Sequence, residues 1–350
     1  MGELLSKIIV YGLFGEYDYE IDLADRRLTF IHSQNGLGKS TVMKLVYSIL
    51  TGNLEDVASC PFDRIDLMFG NGTNIIVENR GREISILGQK AEIEEPMTAE
   101  ELRGVMKCVY IGPERTFTPD GNGCGVPSLQ IYMDELSENI RKAKKDSEPR
   151  EIEDDGRELS DADLDQLFRD LEARIDFIKQ AGFGPSIPAG YRFPPNRYEI
   201  GEYREDYRKL ALSLKDYVDR YYTFAESVIV FKDIVNSVYV NKTVEINDMG
   251  YLEARMDKSG TVIPITKFSS GEKQILIMFY LLLFRTDAGS LVIVDEPEVS
   301  LHISWQQQLG KTFGDVARVR DLQMIVATHS PSVIHDDWDL AVELKAAGND

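Results

Sequence analysis

The stretch Ser33-Gln34-Asn35-Gly36-Leu37-Gly38-Lys39-Ser40-Thr41 follows a strand-like segment from Arg27 to His32. It precedes a segment whose apolar residues Val42, Leu45, Val46, Ile49 and Leu50 recur at helical spacing. A strand, a glycine-bearing loop and a helix in that order leave few folds open. With no side chain, Gly36 and Gly38 let the loop curl until successive backbone N–H groups point inward, and the helix adds its positive end. Such a cradle suits phosphate. Asn35, Gly36, Leu37, Gly38, Lys39, Ser40 and Thr41 are the candidate nucleotide-binding residues, with Lys39 reaching the terminal phosphates and the Ser40 hydroxyl ligating magnesium. The usual pattern opens on glycine, where this chain has Ser33.

A second constraint lies far downstream. Leu291-Val292-Ile293-Val294 reads as a buried strand and ends in the adjacent carboxylates Asp295-Glu296. Two carboxylates there are costly unless they meet a cation or orient a reactant. Asp295 would hold magnesium through water, and Glu296 would polarise an attacking water; the competing reading has both capping the next helix. Ser269, Ser270, Gly271 and Glu272 place hydroxyls and a helix N-terminus before a long apolar helix, an arrangement that binds a γ-phosphate or simply caps the helix. His329, after the strand Leu322 to Ala327, is a hydrogen-bond partner for the same phosphate or a structural histidine. Lys39, Glu296 and His329 are thus the catalytic candidates, and ATP with Mg2+ the expected ligands. Phe14, Tyr17 and Tyr19, ahead of the loop, are candidates for adenine contact or for the core.

Between these motifs the pattern changes twice. Short strands at Lys7 to Tyr11 and Tyr17 to Asp22 lead to the loop, and alternating segments at Arg64 to Phe69, Asn74 to Glu78 and Glu83 to Leu87 predict an antiparallel meander. Met106 to Ile111 returns as a strand. Charged, helix-prone segments follow at Ser128 to Lys145, Asp161 to Gln180 and Glu202 to Val235; between Glu148 and Asp165 nine acidic residues face two basic ones, a solvated connector. Strands are expected at Thr243 to Ile246, Leu252 to Arg255 and Val262 to Ile265. Helix and strand then alternate, the mark of a parallel sheet with helices on its faces.

Composition narrows the partners. Of 350 residues 59 are acidic and 39 basic, a formal net charge of -20. Phosphate neutralisation supplies most of the affinity for duplex DNA, so any nucleic-acid contact here must be limited and local. Three cysteines, Cys60, Cys108 and Cys124, stand far apart without metal-ligand spacing, which fits a reduced cytoplasmic setting. Four histidines leave little material for a zinc or nuclease site. The run from Met1 to Tyr11 is too short and charged for a signal peptide, and no segment approaches the roughly 20 apolar residues of a membrane span.

Taken in order, the glycine loop, Phe268-Ser269-Ser270-Gly271-Glu272-Lys273-Gln274, Asp295-Glu296-Pro297, Val299-Ser300-Leu301-His302 and Ala327-Thr328-His329-Ser330-Pro331 resemble the ATP-binding-cassette ATPase heads of the SMC/RecF/OLD branch. The resemblance covers Glu3 to Arg115 and Thr243 to Leu344. It implies an α/β, P-loop ABC-ATPase fold: a mixed sheet lobe plus an antiparallel β lobe, with an inserted helical arm. The expected divisions are 1–127 for the first lobe, 128–238 for the arm and 239–350 for the second lobe. It also implies two heads pairing head to tail, so that Ser269, Ser270 and Gly271 act on nucleotide held by Lys39 of the other copy. The signature Phe-Ser-Ser-Gly-Glu-Lys-Gln, and Ser-Leu-His followed by Trp305-Gln306-Gln307, separate the chain from transporter ATPases. Where transporters carry a Gln loop, the chain has Tyr110-Ile111-Gly112-Pro113-Glu114-Arg115, with Glu114 a candidate for coupling.

The arm separates the branch members. A helix of about 20 residues spans roughly 30 Å, too little to bridge distant DNA sites. Ending about twenty residues after His329, the chain is not expected to carry the Toprim nuclease of OLD proteins. The expectation is a dimerising ATPase, or a higher oligomer built from dimers, that senses or gates for a separate effector such as a nuclease. This is the manner of the stand-alone ATPases of Septu, retron-associated and PARIS defence modules. The alternatives are a RecF-like DNA-repair ATPase and a slow-hydrolysing, nucleotide-locked scaffold for a toxin or nuclease.

Overall fold

The computed structural model describes residues 4–24, 26–34, 36–81, 83–90, 93–114, 117–119, 125–148, 150 and 159–345. Two compact units emerge, Met1–Arg115 with Leu281–Asp350, and Thr116–Tyr280. Asn35, Arg115, Cys124 and most of the acidic connector, residues 151–158, lie outside the described residues.

The first unit holds two sheets. One is antiparallel and six-stranded, in the order Tyr17–Asp22, Leu5–Leu13, Arg64–Phe69, Thr73–Arg80, Glu83–Lys90, Ile93–Pro96. The other is five-stranded and parallel throughout, in the order Ala341–Glu343, Leu28–His32, Gln323–Thr328, Leu291–Asp295, Cys108–Ile111. A parallel strand covered on both faces needs apolar residues at consecutive positions, which is why Leu291–Asp295 and Gln323–Thr328 are buried at every residue. Alternate side chains divide between the two faces. Ile31, Leu291, Ile293, Ile325 and Ala327 join one core with the helix Lys39–Leu50, through Val42, Val46 and Ile49, and with the antiparallel sheet, through Ile8, Val10, Ile65 and Ile75. On the opposite side the helix Ile303–Val319 lies against Leu28–His32; a Cβ on its Gly310 would come within 3.4 Å of Phe30.

Gln323 joins the two sheets. Its Oε1 accepts the Leu5 N–H at 2.8 Å and its Nε2 donates to the Leu5 carbonyl at 2.7 Å, with the side chain 2% exposed. An amide can satisfy both backbone groups at once, a task no apolar side chain can perform. Strand order has a further consequence. Because all five strands run the same way, the loops leaving Leu28–His32, Gln323–Thr328 and Leu291–Asp295 emerge at one edge, from three adjacent strands.

The second unit contains the helices Ser128–Lys145, Asp161–Gln180, Arg197–Glu202 and Arg204–Val238, and an antiparallel sheet of Lys242–Ile246, Leu252–Met256 and Val262–Ile263. Ser160 and Asp163 cap the second helix reciprocally, which fixes where it starts. That helix packs on Arg204–Val238 through Phe168 against Tyr207, centroids 5.9 Å apart, and Phe177 against Tyr222, 5.2 Å apart. The helix Arg204–Val238 runs for 35 residues without proline, so it spans roughly 50 Å, longer than the 20-residue arm helix considered above. The third strand stops at Ile263 because Pro264 has no N–H for the ladder and opens a turn of 3-10 helix, Ile265–Lys267. Cys60 and Cys108 are free thiols. Among the described residues no helix is long and apolar enough to cross a membrane.

Replacing Gln323 by Leu leaves two buried backbone groups of Leu5 unpaired. The substitution should therefore cost roughly 2–4 kcal/mol of stability. Urea unfolding of the full chain checks it; a midpoint equal to that of the wild type would refute the bridging role.

Candidate nucleotide site

Glycine loop, carboxylate strand and histidine meet at the edge that the parallel sheet creates. Gln34, Gly36, Leu37, Gly38, Lys39, Ser40, Thr41, Glu296 and His329 line one cleft of about 360 Å3. Gly36 and Gly38 take φ values of +90° and +75°, a left-handed conformation that a side chain resists. Space also requires glycine at 38: a Cβ there would stand 2.9 Å from Leu13 and 3.1 Å from the Phe14 ring. Gly38 caps the helix Lys39–Leu50, whose first turn holds no acidic residue, so its positive end is left for a ligand. Tyr19, 2% exposed, donates its hydroxyl to the Leu37 carbonyl at 2.5 Å and ties the loop to the antiparallel sheet. Burial pushes the Tyr19 phenol up to about 12, so it stays a donor at neutral pH.

Charge in the cleft is unusually concentrated. Lys39 is 3% exposed and its Nζ has no hydrogen-bond partner among the described residues; Asp295, 1% exposed, has Oδ1 in the same state, and so does Oε2 of Glu298. Burial lowers the Lys39 pKa, while the nearby carboxylates of Asp295, Glu298 and Glu296 oppose that shift. Buried polar atoms without partners are rare in folded proteins and mark places where a ligand completes the bonding. An ammonium at the foot of a glycine loop suits phosphate oxygens, and buried carboxylate oxygens beside Ser40 suit a hard divalent cation. The donor set therefore fits ATP with Mg2+.

The second carboxylate of the pair is held differently. Glu296 has φ +49°, uncommon for a side chain with a Cβ, and its N–H donates to the Ala327 carbonyl at 2.8 Å. The adjacent strand thus turns Glu296 out of line with Leu291–Asp295 and into the cleft. His329 Nε2 lies 3.9 Å from Glu296 Oε1, and Nδ1 is 3.0 Å from the Ser33 carbonyl. A carbonyl only accepts, so Nδ1 carries the proton, and a bond donated from Nε2 to phosphate requires the imidazolium. Ser33, the departure from the usual glycine, supplies the carbonyl that orients this ring.

Four further residues support the site. Glu298 Oε1 accepts the His329 N–H at 2.8 Å. Gln306 donates to the Leu301 carbonyl at 3.0 Å and accepts from the Ser330 hydroxyl at 2.7 Å, tying the Ser-Leu-His loop to the histidine loop. Tyr110 donates to Asp295 Oδ2 at 2.7 Å, and burial, then that bond, raises its pKa. Glu114 lies exposed on the turn that follows. Tyr19 is the fourth. His302 caps the helix Ile303–Val319 by accepting from the Ser304 N–H.

Ser269, Ser270, Gly271 and Glu272 belong to the second unit. Ser269 N–H donates to Glu272 Oε2 at 2.9 Å and the Glu272 N–H to Ser269 Oγ at 3.4 Å, a reciprocal cap on the helix Ser270–Phe284. Glu272 also pairs with Lys242 at 2.7 Å, and Lys242 sits 4.6 Å from the Phe268 ring centroid. Glu272 is therefore committed to holding the turn, while Ser269 and Ser270 are exposed.

A glycine loop, a carboxylate pair and a histidine at one edge of a parallel sheet, beside an antiparallel sheet, define the ABC-type ATPase fold. One solved structure agrees on the fold. The SMC head bound to the C-terminal winged-helix domain of ScpA is similar at TM-score 0.52 and 13% identity, over 94% of this chain and 91% of that one. An SMC head with an extended coiled coil, from Pyrococcus furiosus, aligns at TM-score 0.47 and 14% identity over 95% of this chain and 91% of that one. The family described as "AAA domain, putative AbiEii toxin, Type IV TA system" matches residues 136–335, and the chain belongs to it. It is also similar to the probable ATPase of retron Ec83 from Escherichia coli, 28% identical over 147 residues, which are 37% of this chain and 26% of that protein. The match thus spans about a quarter of the relative's length.

Tyr19→Phe removes the hydroxyl that holds the Leu37 carbonyl but keeps the ring. ATP should bind roughly three- to tenfold more weakly. Calorimetric titration checks this, and unchanged affinity would exclude a part for Tyr19 in shaping the loop.

Proposed function

We propose that the chain is an ATP- and Mg2+-dependent ATPase that dimerises head to tail around nucleotide and gates a separate effector, in bacterial antiviral defence. The carrying observation is the convergence in one cleft of the glycine loop, the unpartnered Lys39 Nζ and Asp295 Oδ1, Glu296 and His329. Backbone N–H groups over residues 36–41 and the Lys39 ammonium hold the phosphates, and Ser40 and Asp295 hold the cation. Bound magnesium supplies charge neutralisation on the phosphates. Glu296 takes the proton of the attacking water, and His329, as imidazolium, donates from Nε2 to the terminal phosphate.

Dimerisation is supported by two exposed features. Ser269 and Ser270 present hydroxyls at a helix N-terminus, and Ile303, 56% exposed, opens the helix after the Ser-Leu-His loop. In the dimer, Ser269, Ser270 and Gly271 of one copy close on ATP held by Lys39 of the other. The functional division we propose follows the sequence: lobes at 1–127 and 239–350, and an arm at 128–238. The toxin–antitoxin description of the family and the retron ATPase among its relatives support a defence role beside an effector such as a nuclease. Free thiols at Cys60 and Cys108 suit a cytoplasmic location. The net charge of -20 favours a protein partner over broad contact with DNA.

Glu296→Gln should slow hydrolysis roughly 10²–10⁴-fold while ATP stays bound. Sedimentation with ATP should then show a doubled mass, and an unchanged mass sinks the dimer. Mixing Lys39→Ala with Ser270→Arg chains should recover ATPase activity that neither has alone, since one composite site in the mixed dimer is intact.

A further inference from the structure

Among the described residues Asp295 is the most deeply buried carboxylate, at 1% exposed, yet only one of its oxygens is bonded to any of them. The donor is the phenol of Tyr110, 2.7 Å from Oδ2. The sheet explains how they meet. Tyr110 on Cys108–Ile111 pairs in register with Ile293 on Leu291–Asp295, and Asp295, two residues on, faces the same side as Ile293. Tyr110 is thus a diagonal neighbour of Asp295, and a long aromatic side chain spans that gap.

Packing alone does not dictate where the hydroxyl points. The Tyr110 ring lies 5.8 Å from that of Tyr47, on the helix Lys39–Leu50, and borders a second cleft of about 460 Å3 that also includes Thr41, Lys44 and Cys60. A phenol beside an open cleft can reach water. Here it turns instead to a carboxylate that has no other donor among the described residues.

We infer that Tyr110 is a positioning residue for the cation: by holding Oδ2 of Asp295 it fixes the carboxylate so that Oδ1 is offered to the divalent ion of bound ATP. This rests on the nucleotide and magnesium reading above. Tyr110 touches neither phosphate nor water in that reading; it acts through Asp295 alone.

The test uses the full chain with a non-hydrolysable ATP analogue and Mn2+ as the probe, its binding followed by electron paramagnetic resonance. Tyr110→Phe should weaken Mn2+ roughly five- to tenfold in the presence of the analogue, and leave analogue affinity without metal within about twofold. In steady state, kcat should fall and the Mg2+ requirement rise, with little change in KM for ATP. The loss should vanish in an Asp295→Asn background, because the two groups act as one unit. Tyr110→His keeps a ring donor and should lose less than Tyr110→Phe, whereas a packing role predicts the reverse order, both variants first being shown by circular dichroism to fold as the wild type does. Equal Mn2+ affinity in wild type and Tyr110→Phe overturns the inference and leaves the ATPase reading intact. Absence of analogue-dependent Mn2+ binding in the wild type overturns both.

Discussion

A lysine ammonium buried among three carboxylates, and bonded to none of them, is the constraint around which the first unit is organised. Burial lowers the Lys39 pKa, and the nearby carboxylates of Asp295, Glu298 and Glu296 oppose that shift. The carboxylates outnumber that cation, so the cleft stays negative at its base and positive at its rim, where Gly38 opens a helix. A polyanion accompanied by a divalent cation is the ligand that balances both ends.

Much of the surrounding architecture serves to hold these groups while leaving their reactive atoms unbonded. Tyr110 takes one oxygen of Asp295 and leaves the other. Glu298 bonds the His329 backbone through one oxygen only. The Ser33 carbonyl fixes one nitrogen of His329, and Nε2 faces Glu296. Glu296 itself sits in a left-handed conformation, anchored by the Ala327 carbonyl. The cleft thus combines a left-handed glutamate with three buried polar atoms left unbonded among the described residues, whereas the strands that carry it are paired along their length by ladder hydrogen bonds.

The signature turn follows another design. Its glutamate is spent on structure, through the cap on Ser269 and the ion pair with Lys242. What it offers outward is two hydroxyls.

Sequence alone determined the strand–loop–helix of the phosphate cradle, the buried strand ending in Asp295-Glu296 and the helical arm, because each is written in local pattern: glycine placement, an unbroken aliphatic run, a helical apolar repeat. The length of the arm helix was less legible, since charged residues dilute the repeat from Arg204 to Val238 and only packing against Asp161–Gln180 shows that it continues. No local pattern assigns Tyr110, Tyr19, Glu298 or Gln306 the bond it makes. Their roles arise from strand order and register, which join residues far apart in the chain, and only the tertiary structure decides those. For the same reason the departure at Ser33 explained itself only in three dimensions: its backbone carbonyl, which every residue type possesses, is the atom that orients His329.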